Sequence, residues 1–185
     1  MTLARKYGWG LLALAWGAAE ATIFFIVPDV LLSLAGLCRG GREASNIAFV
    51  AAIGAALGGC VMFAWSATDH AAAVAAVSAV PAVSDAMMNA AAAGVGERGW
   101  LVAALLGPLT STPYKVFALL APEAGVSPPL FVLTSVLARL PRFLLAAWAG
   151  GLARQWFDIG GTRLVLVWAM AWIVFYAAFF SLMPN

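Results

Sequence analysis

Long apolar runs interrupted by prolines and single charges constrain this chain more than any other feature. The first run extends from Tyr7 to Cys38, 32 residues in which only Glu20 and Asp29 are charged. One continuous helix of that length would measure about 48 Å, whereas the hydrocarbon core of a bilayer is ~30 Å thick. Two short limbs that meet at a break near residues 25–28 fit that thickness better. The run therefore predicts a re-entrant helical hairpin.

Composition excludes a soluble domain. Of 185 residues, 64% are hydrophobic and 10% are charged, against about 45–50% and 25% in soluble proteins. A soluble fold of this size still exposes about a third of the surface of its unfolded chain, so it cannot bury this much apolar area. The predicted fold class is an all-α polytopic membrane protein. The net charge of +2 gives no basic patch for nucleic acid.

Few residues are suited to metal binding or enzyme chemistry. Cys38 and Cys60 have no zinc spacing and form no disulfide framework, so they are assigned to packing. His70 is the only histidine, and no HExxH, GxSxG or Walker-type motif occurs. We therefore expect no metal, no cofactor and no enzyme.

One membrane domain is predicted over residues 1–185. A span needs about 20 apolar residues, and three stretches qualify: Ile47–Trp65, Pro128–Leu152 and Leu164–Met183. The predicted segments are a first hairpin plus span over 8–66, an amphipathic interfacial connector over 67–97, a second hairpin plus span over 98–152, and a last C-terminal span over 163–183.

The second hairpin is predicted between Trp100 and Ala121. Its centre, Gly107–Pro113, contains two prolines, a glycine and three hydroxyl residues, a composition that does not propagate a helix. Irregular backbone at membrane depth is tolerated only where protein buries it or where it lines a cavity. The alternative is a single kinked span.

Layout and charge together predict an inverted repeat. Each unit opens with an apolar limb flanked by tryptophan, breaks at a proline (Pro28, Pro113) and continues into a long helix, an architecture that places transporter sites at the bilayer midplane. The positive-inside rule makes the N-terminus cytoplasmic. The bases assigned to that side are Arg5, Lys6, Arg39, Arg42, Arg154 and Arg163, and the acids opposite are Asp69, Asp85, Glu97 and Glu123, with Arg98 as the one basic exception on the acidic side.

Small residues and tryptophans suggest packing roles. Gly54 and Gly58 stand at GxxxG spacing, which allows close helix approach, and we assign that face to packing within one chain. The oligomeric state is left open, a homo-oligomer included. Trp168 and Trp172 are assigned with the other tryptophans to interfaces and lipid-facing packing.

Five ionisable residues fall inside apolar segments. A charge at the centre of a membrane helix costs about 2.5–3.5 kcal/mol on insertion scales, so such residues face the protein interior and commonly carry function. Arg139 and Arg142 are three apart and so share a helix face. The five residues are Glu20, Asp29, Lys115, Arg139 and Arg142.

Two acids against three bases leave one positive charge in excess. A buried charge without a partner is costly, so either an anion fills the site or an acid from elsewhere in the chain approaches it. A phosphate monoanion suits arginine forks and hydroxyl donors. The predicted binding residues are Lys115, Arg139, Arg142, Thr110, Ser111 and Thr112.

The two acids have a second predicted role. Burial favours the neutral form of a carboxyl group, so Glu20 and Asp29 are predicted to couple proton movement to anion movement. Sodium as the coupling ion stays open. In the alternative interpretation Arg139 and Arg142 form a structural pair that the two acids neutralise.

Three blocks of sequence resemble a known family. Glu20 followed by Phe24–Leu32, then Pro113–Ala118, then Arg139–Phe143 are similar to the conserved blocks of the DedA family, also called VTT-domain or SNARE-associated-Golgi-like membrane proteins. The second block resembles a small YqaA-like branch. The likeness covers roughly residues 8–152. Larger members carry two arginines around the second proline break, where this chain has only Lys115.

The resemblance implies a location and a function. It implies a multi-pass protein of the bacterial inner membrane with two opposed re-entrant hairpins, and important acids at Glu20 and Asp29. It also implies a transporter or scramblase of an anionic lipid, either a phospholipid or a polyprenyl phosphate, with membrane lipids as partners. Two alternatives stay open: a proton-coupled exporter of small solutes, and a non-transporting structural or assembly protein.

Overall fold

The computed structural model describes residues 3–110, 112–157 and 161–182, with the backbone alone for residues 3–7. Every regular element in these ranges is helical. In chain order the elements are α1 (Leu3–Glu20), α2 (Asp29–Arg39), α3 (Gly41–Thr68), α4 (His70–Ser78), α5 (Asp85–Arg98), α6 (Trp100–Leu106), a 3-10 turn (Gly107–Leu109), α7 (Tyr114–Leu120), α8 (Pro128–Trp156) and α9 (Gly161–Leu182).

Three helices, α3, α8 and α9, are long and apolar enough to cross a membrane. The all-α multi-pass prediction is confirmed at this level. The helices extend beyond the predicted apolar stretches, since α3 begins at Gly41 and α8 continues to Trp156. The added turns contain Arg42, Glu43 and Arg154, which are good helix formers although they are polar.

The centre of the molecule is the antiparallel pair α3 and α8, and the first two helices pack on it. A Cβ atom added at Gly54 or Gly58 would collide with the backbone carbonyl oxygen of Leu14 or Ala18 in α1. The predicted packing of this glycine face within one chain is confirmed. The same device joins α2 to α8, where a Cβ atom at Gly150 would collide with a carbonyl oxygen of α2.

Both predicted helix breaks are present. The first separates α1 from α2 over residues 21–28, and the second separates α6 from α7 over residues 107–113. The two broken pairs pack alike: α1 lies on α3 while α6 lies on α8, and α2 lies on α8 while α7 lies on α3. The two breaks also come into direct contact, because Lys115 Nζ, just after the second break, donates to the Phe24 carbonyl oxygen in the first break at 2.6 Å.

The connector between the two units is helical. Its first residues, 67–68, prolong α3, and α4 then starts at His70, where the Asp69 carboxylate accepts a hydrogen bond from the Ala72 amide at 3.0 Å. A turn that contains Pro81 leads into α5. Ser84 caps this helix by accepting a hydrogen bond from the Met87 amide at 3.2 Å.

Charged groups collect at opposite ends of the α3–α8 pair. At one end Arg154 donates to the Cys38 carbonyl oxygen at 2.9 Å, beside the start of α3. At the other end His70 Nε2 lies 3.3 Å from a Glu123 carboxylate oxygen. Arg154 and Glu123, which the partition assigns to different sides, thus lie at opposite ends of the pair, and which end faces the cytoplasm stays a prediction. The side chains of Arg5 and Lys6, which entered that prediction, lie outside the described residues.

Candidate functional site

A cavity of about 310 Å³ lies between the two helix breaks and is partly open to the outside. Helix α8 forms one wall, the α4–α5 turn forms another, and α9 covers a third side. Four of the five predicted intramembrane charges line it, namely Glu20, Lys115, Arg139 and Arg142. The fold therefore brings most of the predicted site to one place.

Glu20 and Arg139 form a buried ion pair at the cavity wall. Glu20 is the last residue of α1 and pairs with the guanidinium of Arg139 in α8, and neither side chain is more than 9% exposed. The guanidinium also lies 4.9 Å from the centre of the Tyr114 ring and 5.0 Å from that of Phe143. Arg139 is thus enclosed on several sides, although its Nε has no hydrogen-bond partner among the described residues.

Asp29 and Arg142 form the second pair. Arg142 Nε donates to a carboxylate oxygen of Asp29 at 2.7 Å, and its Nη2 lies 2.5 Å from the same oxygen. Asp29 opens α2 and is buried, whereas the Arg142 side chain is 46% exposed and lines the cavity. The second Asp29 oxygen, Oδ1, is buried without a hydrogen-bond partner in the described part of the chain.

Lys115 differs from both arginines. It follows the second break, is 2% exposed, and its Nζ donates to the Phe24 carbonyl oxygen in the first break at 2.6 Å. Within the described residues no carboxylate lies within 4 Å of it. An ammonium group has three donors, so this hydrogen bond leaves two of them for other partners, and Lys115 lines the cavity.

The three predicted hydroxyl residues occupy different positions. Thr112 lines the cavity. Thr110 is exposed, donates to the Gly107 carbonyl oxygen at 3.1 Å, and lies 3.0 Å from the Thr112 hydroxyl without lining the cavity. Ser111 lies outside the described residues.

An aromatic wall from α9 is the part of the cavity that the sequence interpretation missed. It assigned Trp172 to an interface or to lipid-facing packing, yet Trp172 lines the cavity, and its indole N–H donates to Ser33 Oγ at 3.2 Å. The spacing of these aromatics along one helical stripe was the available signal. The α9 residues of the wall are Trp172, Phe175, Tyr176, Phe179 and Phe180.

Three hydrogen bonds hold this wall to the first unit. Trp168 donates to Ser33 Oγ at 2.9 Å, beside the bond from Trp172. The Val27 amide in the first break donates to the Tyr176 hydroxyl at 3.0 Å. Most of the apolar surface of α9 is otherwise exposed. These polar contacts therefore fix which face of α9 looks into the cavity.

The cavity combines cationic side chains with an aromatic wall. Three bases and two acids leave one positive charge in excess, and Lys115 is the base whose charge no described carboxylate balances. Such a group can hold an anion, while the aromatic wall can contact an apolar body. In the described part of the chain no three His, Cys, Asp or Glu residues lie close enough to hold a metal ion together.

Comparison with known proteins gives no further guide to this site. No family model, curated protein or solved structure matches the chain. The DedA resemblance stays a prediction.

Proposed function

We propose that this protein moves an anionic lipid across a membrane, as a transporter or a scramblase. The observation that supports the proposal is Lys115, a fully buried ammonium without a carboxylate partner among the described residues, at a cavity with an aromatic wall. A buried excess charge is costly unless a ligand compensates it. A lipid with a phosphate headgroup supplies both the negative charge and an apolar body for the wall.

The packing of the two broken helix pairs supports an inverted repeat. The first helix of each unit packs on that unit's own long helix, and the second packs on the long helix of the other unit. Two units related by a two-fold axis in the membrane plane produce this exchange. We therefore propose that both broken pairs are re-entrant hairpins whose breaks meet near the midplane.

The proposed location is a bacterial inner membrane with the N-terminus in the cytoplasm. Its support is the collection of Arg39, Arg42 and Arg154 at one end of the α3–α8 pair, because basic residues favour the cytoplasmic side. The DedA resemblance supplies the bacterial context.

Glu20 and Asp29 are the proposed coupling residues. Each carboxylate is bound to an arginine of α8, so protonation of the acid would release a guanidinium and raise the positive charge of the cavity. That change would strengthen anion binding. If Glu20→Gln and Asp29→Asn each left the pH dependence of lipid movement unaltered, proton coupling through these acids would be wrong, and sodium would be the next ion to test.

A structural role is the second candidate, because two Arg–carboxylate pairs satisfy four of the five charges. A protein whose buried charges merely hold the bundle together needs no cavity, whereas this one has a cavity beside its uncompensated lysine. An exporter of small anionic solutes would bind them at the same cationic side chains, but such solutes have no apolar body to contact the aromatic wall.

Lipid movement in proteoliposomes tests the proposal directly. The initial rate of translocation of a fluorescent anionic phospholipid is compared for wild type, Lys115→Met and Arg98→Gln. Arg98 is exposed on α5 and away from the cavity, so its substitution removes one positive charge as a matched control. We expect wild type and the control to move lipid and Lys115→Met to lose most of the rate. A wild type that moves no lipid would leave the structural role as the better account.

Labelling of single cysteines in intact cells tests the re-entrant topology. After removal of the native cysteines, a cysteine at Gly8 near the start of α1 is compared with Cys38 alone, at the end of α2. If the pair is a re-entrant hairpin with the proposed orientation, an impermeant maleimide labels neither site. Glu97→Cys is the labelled control. Labelling of the Gly8→Cys variant from outside while Cys38 stays unlabelled would show that α1 and α2 together span the membrane, and labelling of both would reverse the proposed orientation.

A further inference from the structure

The charge of the cavity restricts the valence of its ligand. Both arginines are bound to carboxylates, so one positive charge remains, carried by Lys115. We infer that the cavity selects an amphiphile with a single negative charge, of the phosphodiester class, over one with a doubly charged phosphomonoester. This inference rests on the proposed lipid function and narrows its substrate.

The physical reason is charge balance around the buried ammonium of Lys115. A phosphodiester carries one negative charge and would bring the cavity to neutrality. A phosphomonoester carries about 1.5 to 2 negative charges near pH 7, so its second charge would find no base that is not already bound to Glu20 or Asp29. An uncompensated buried charge is costly whether it belongs to the protein or to the ligand.

Several hydrogen-bond donors at the cavity are available to such a headgroup. Lys115 has donors left after its bond to Phe24, and the half-exposed Arg142 keeps guanidinium donors beyond its bond to Asp29. The hydroxyl of Thr112 lies beside them on the cavity wall. Arg139 is enclosed by Tyr114 and Phe143 and bound to Glu20, so its role is to position and neutralise that acid.

The aromatic wall points to an amphiphile instead of a free anion. Trp172, Phe175 and Tyr176 of α9 line the same cavity as Lys115 and Arg142. Ligand sites commonly combine a few polar anchors with an apolar lining that receives the rest of the molecule. The headgroup would lie at Lys115 and the apolar part against α9.

Competition between two matched lipids tests the valence. The purified full chain in non-ionic detergent receives equal amounts of phosphatidic acid and phosphatidylmethanol with identical acyl chains, which differ only by a methyl group that removes one charge. The retained lipid is quantified by native mass spectrometry at pH 7.5. We expect wild type to retain phosphatidylmethanol about tenfold over phosphatidic acid. Equal retention, or a preference for phosphatidic acid, would overturn the inference.

A change of cavity charge should change the preference in a predictable direction. Asp29→Asn leaves Arg142 without its acid and raises the excess to two positive charges, so phosphatidic acid should become the preferred lipid. Lys115→Met lowers the excess to zero, and this variant should retain phosphatidylmethanol no better than diacylglycerol of the same chains. The second variant keeps the inference falsifiable if the first fails to fold. Variants that fold and keep the wild-type preference would contradict it.

Two further arms separate the remaining outcomes. Dimethyl phosphate has the same charge but no acyl chains, so it should displace the lipid only at concentrations at least about a hundredfold higher. Displacement at equal concentration would overturn the inference that the ligand is an amphiphile. If the protein moves lipid but does not select between the two headgroups, the inferred selectivity for a single negative charge is wrong, and the proposed lipid function still stands. If neither lipid is retained and none is moved in proteoliposomes, the proposed function fails as well.

Discussion

The two helix breaks meet at one cavity but differ in how their charges are satisfied. The first break is flanked by two acids, Glu20 and Asp29, and each is bound to an arginine of α8. The second is followed by Lys115, whose described polar contact is a backbone carbonyl oxygen of the first break. The two acids of the first break are therefore balanced by arginines, whereas the Lys115 charge at the second break has no carboxylate partner among the described residues.

This difference separates residues that hold the fold from residues available to a ligand. A paired and enclosed charge such as Arg139 stabilises the position of α1 against α8, and its removal leaves a buried acid behind. An ammonium such as Lys115 has already lost its water and has no acid to compensate it. Stability should therefore depend on the first break, and ligand binding on the second.

Breaking the buried pair of the first break should have the largest effect. Arg139→Met leaves Glu20 buried without a partner, and we expect the free energy of unfolding to fall by about 3–5 kcal/mol. Denaturation in mixed detergent micelles measures it. The double variant Glu20→Gln/Arg139→Met should lose less than the sum of the single losses, because the two groups interact. Arg154→Met, at the exposed end of α8, is the control, and equal losses in Arg139→Met and the control would contradict the comparison.

Removing the charge of the second break should affect lipid movement and not stability. Lys115→Met eliminates a charge-assisted contact of about 1.5–3 kcal/mol, so the initial rate of translocation should fall by ten- to a hundredfold. Its free energy of unfolding should stay the same or rise, since an uncompensated buried ammonium is removed. A destabilisation as large as that of Arg139→Met would show that Lys115 also belongs to the structural set.

Breaking the half-exposed pair of Asp29 and Arg142 should reduce the free energy of unfolding by an intermediate amount. Arg142→Met removes the partner of Asp29, but the Arg142 side chain is 46% exposed, so we expect a smaller loss of about 1–2 kcal/mol. The same denaturation experiment measures it beside Arg139→Met. A loss as large as that of the enclosed pair would mean that the cavity is dry around Arg142.

The smallest effect should distinguish the two threonines of the second break. Thr112 lines the cavity and Thr110 does not, so Thr112→Ala should weaken lipid retention by about 1 kcal/mol, or roughly fivefold. Thr110→Ala, the matched control, should retain lipid nearly as well as wild type. The competition experiment described above gives both values. Equal effects would place both hydroxyls, or neither, at the ligand.

Much of the architecture could be predicted from local sequence. The three described helices that are long enough to cross a membrane follow from apolar length. The breaks follow from Pro28 and from the two prolines of Gly107–Pro113, because proline has no backbone N–H to donate and disfavours a helical conformation in the residue before it. The glycine face at Gly54 and Gly58 likewise follows from side-chain size. These features depend on neighbours in the chain, so no tertiary information is needed.

The sequence by itself also determined that the intramembrane charges converge, since five such groups cannot all face lipid. Only the tertiary structure decided which charges pair: Arg139 reaches Glu20 and Arg142 reaches Asp29, partners 119 and 113 residues apart in the chain. It also decided that Lys115 binds a carbonyl oxygen instead of an acid, and that α9 covers the cavity. Pairing depends on how the helices are placed around α8, and periodicity gives the face of each helix without giving its neighbour.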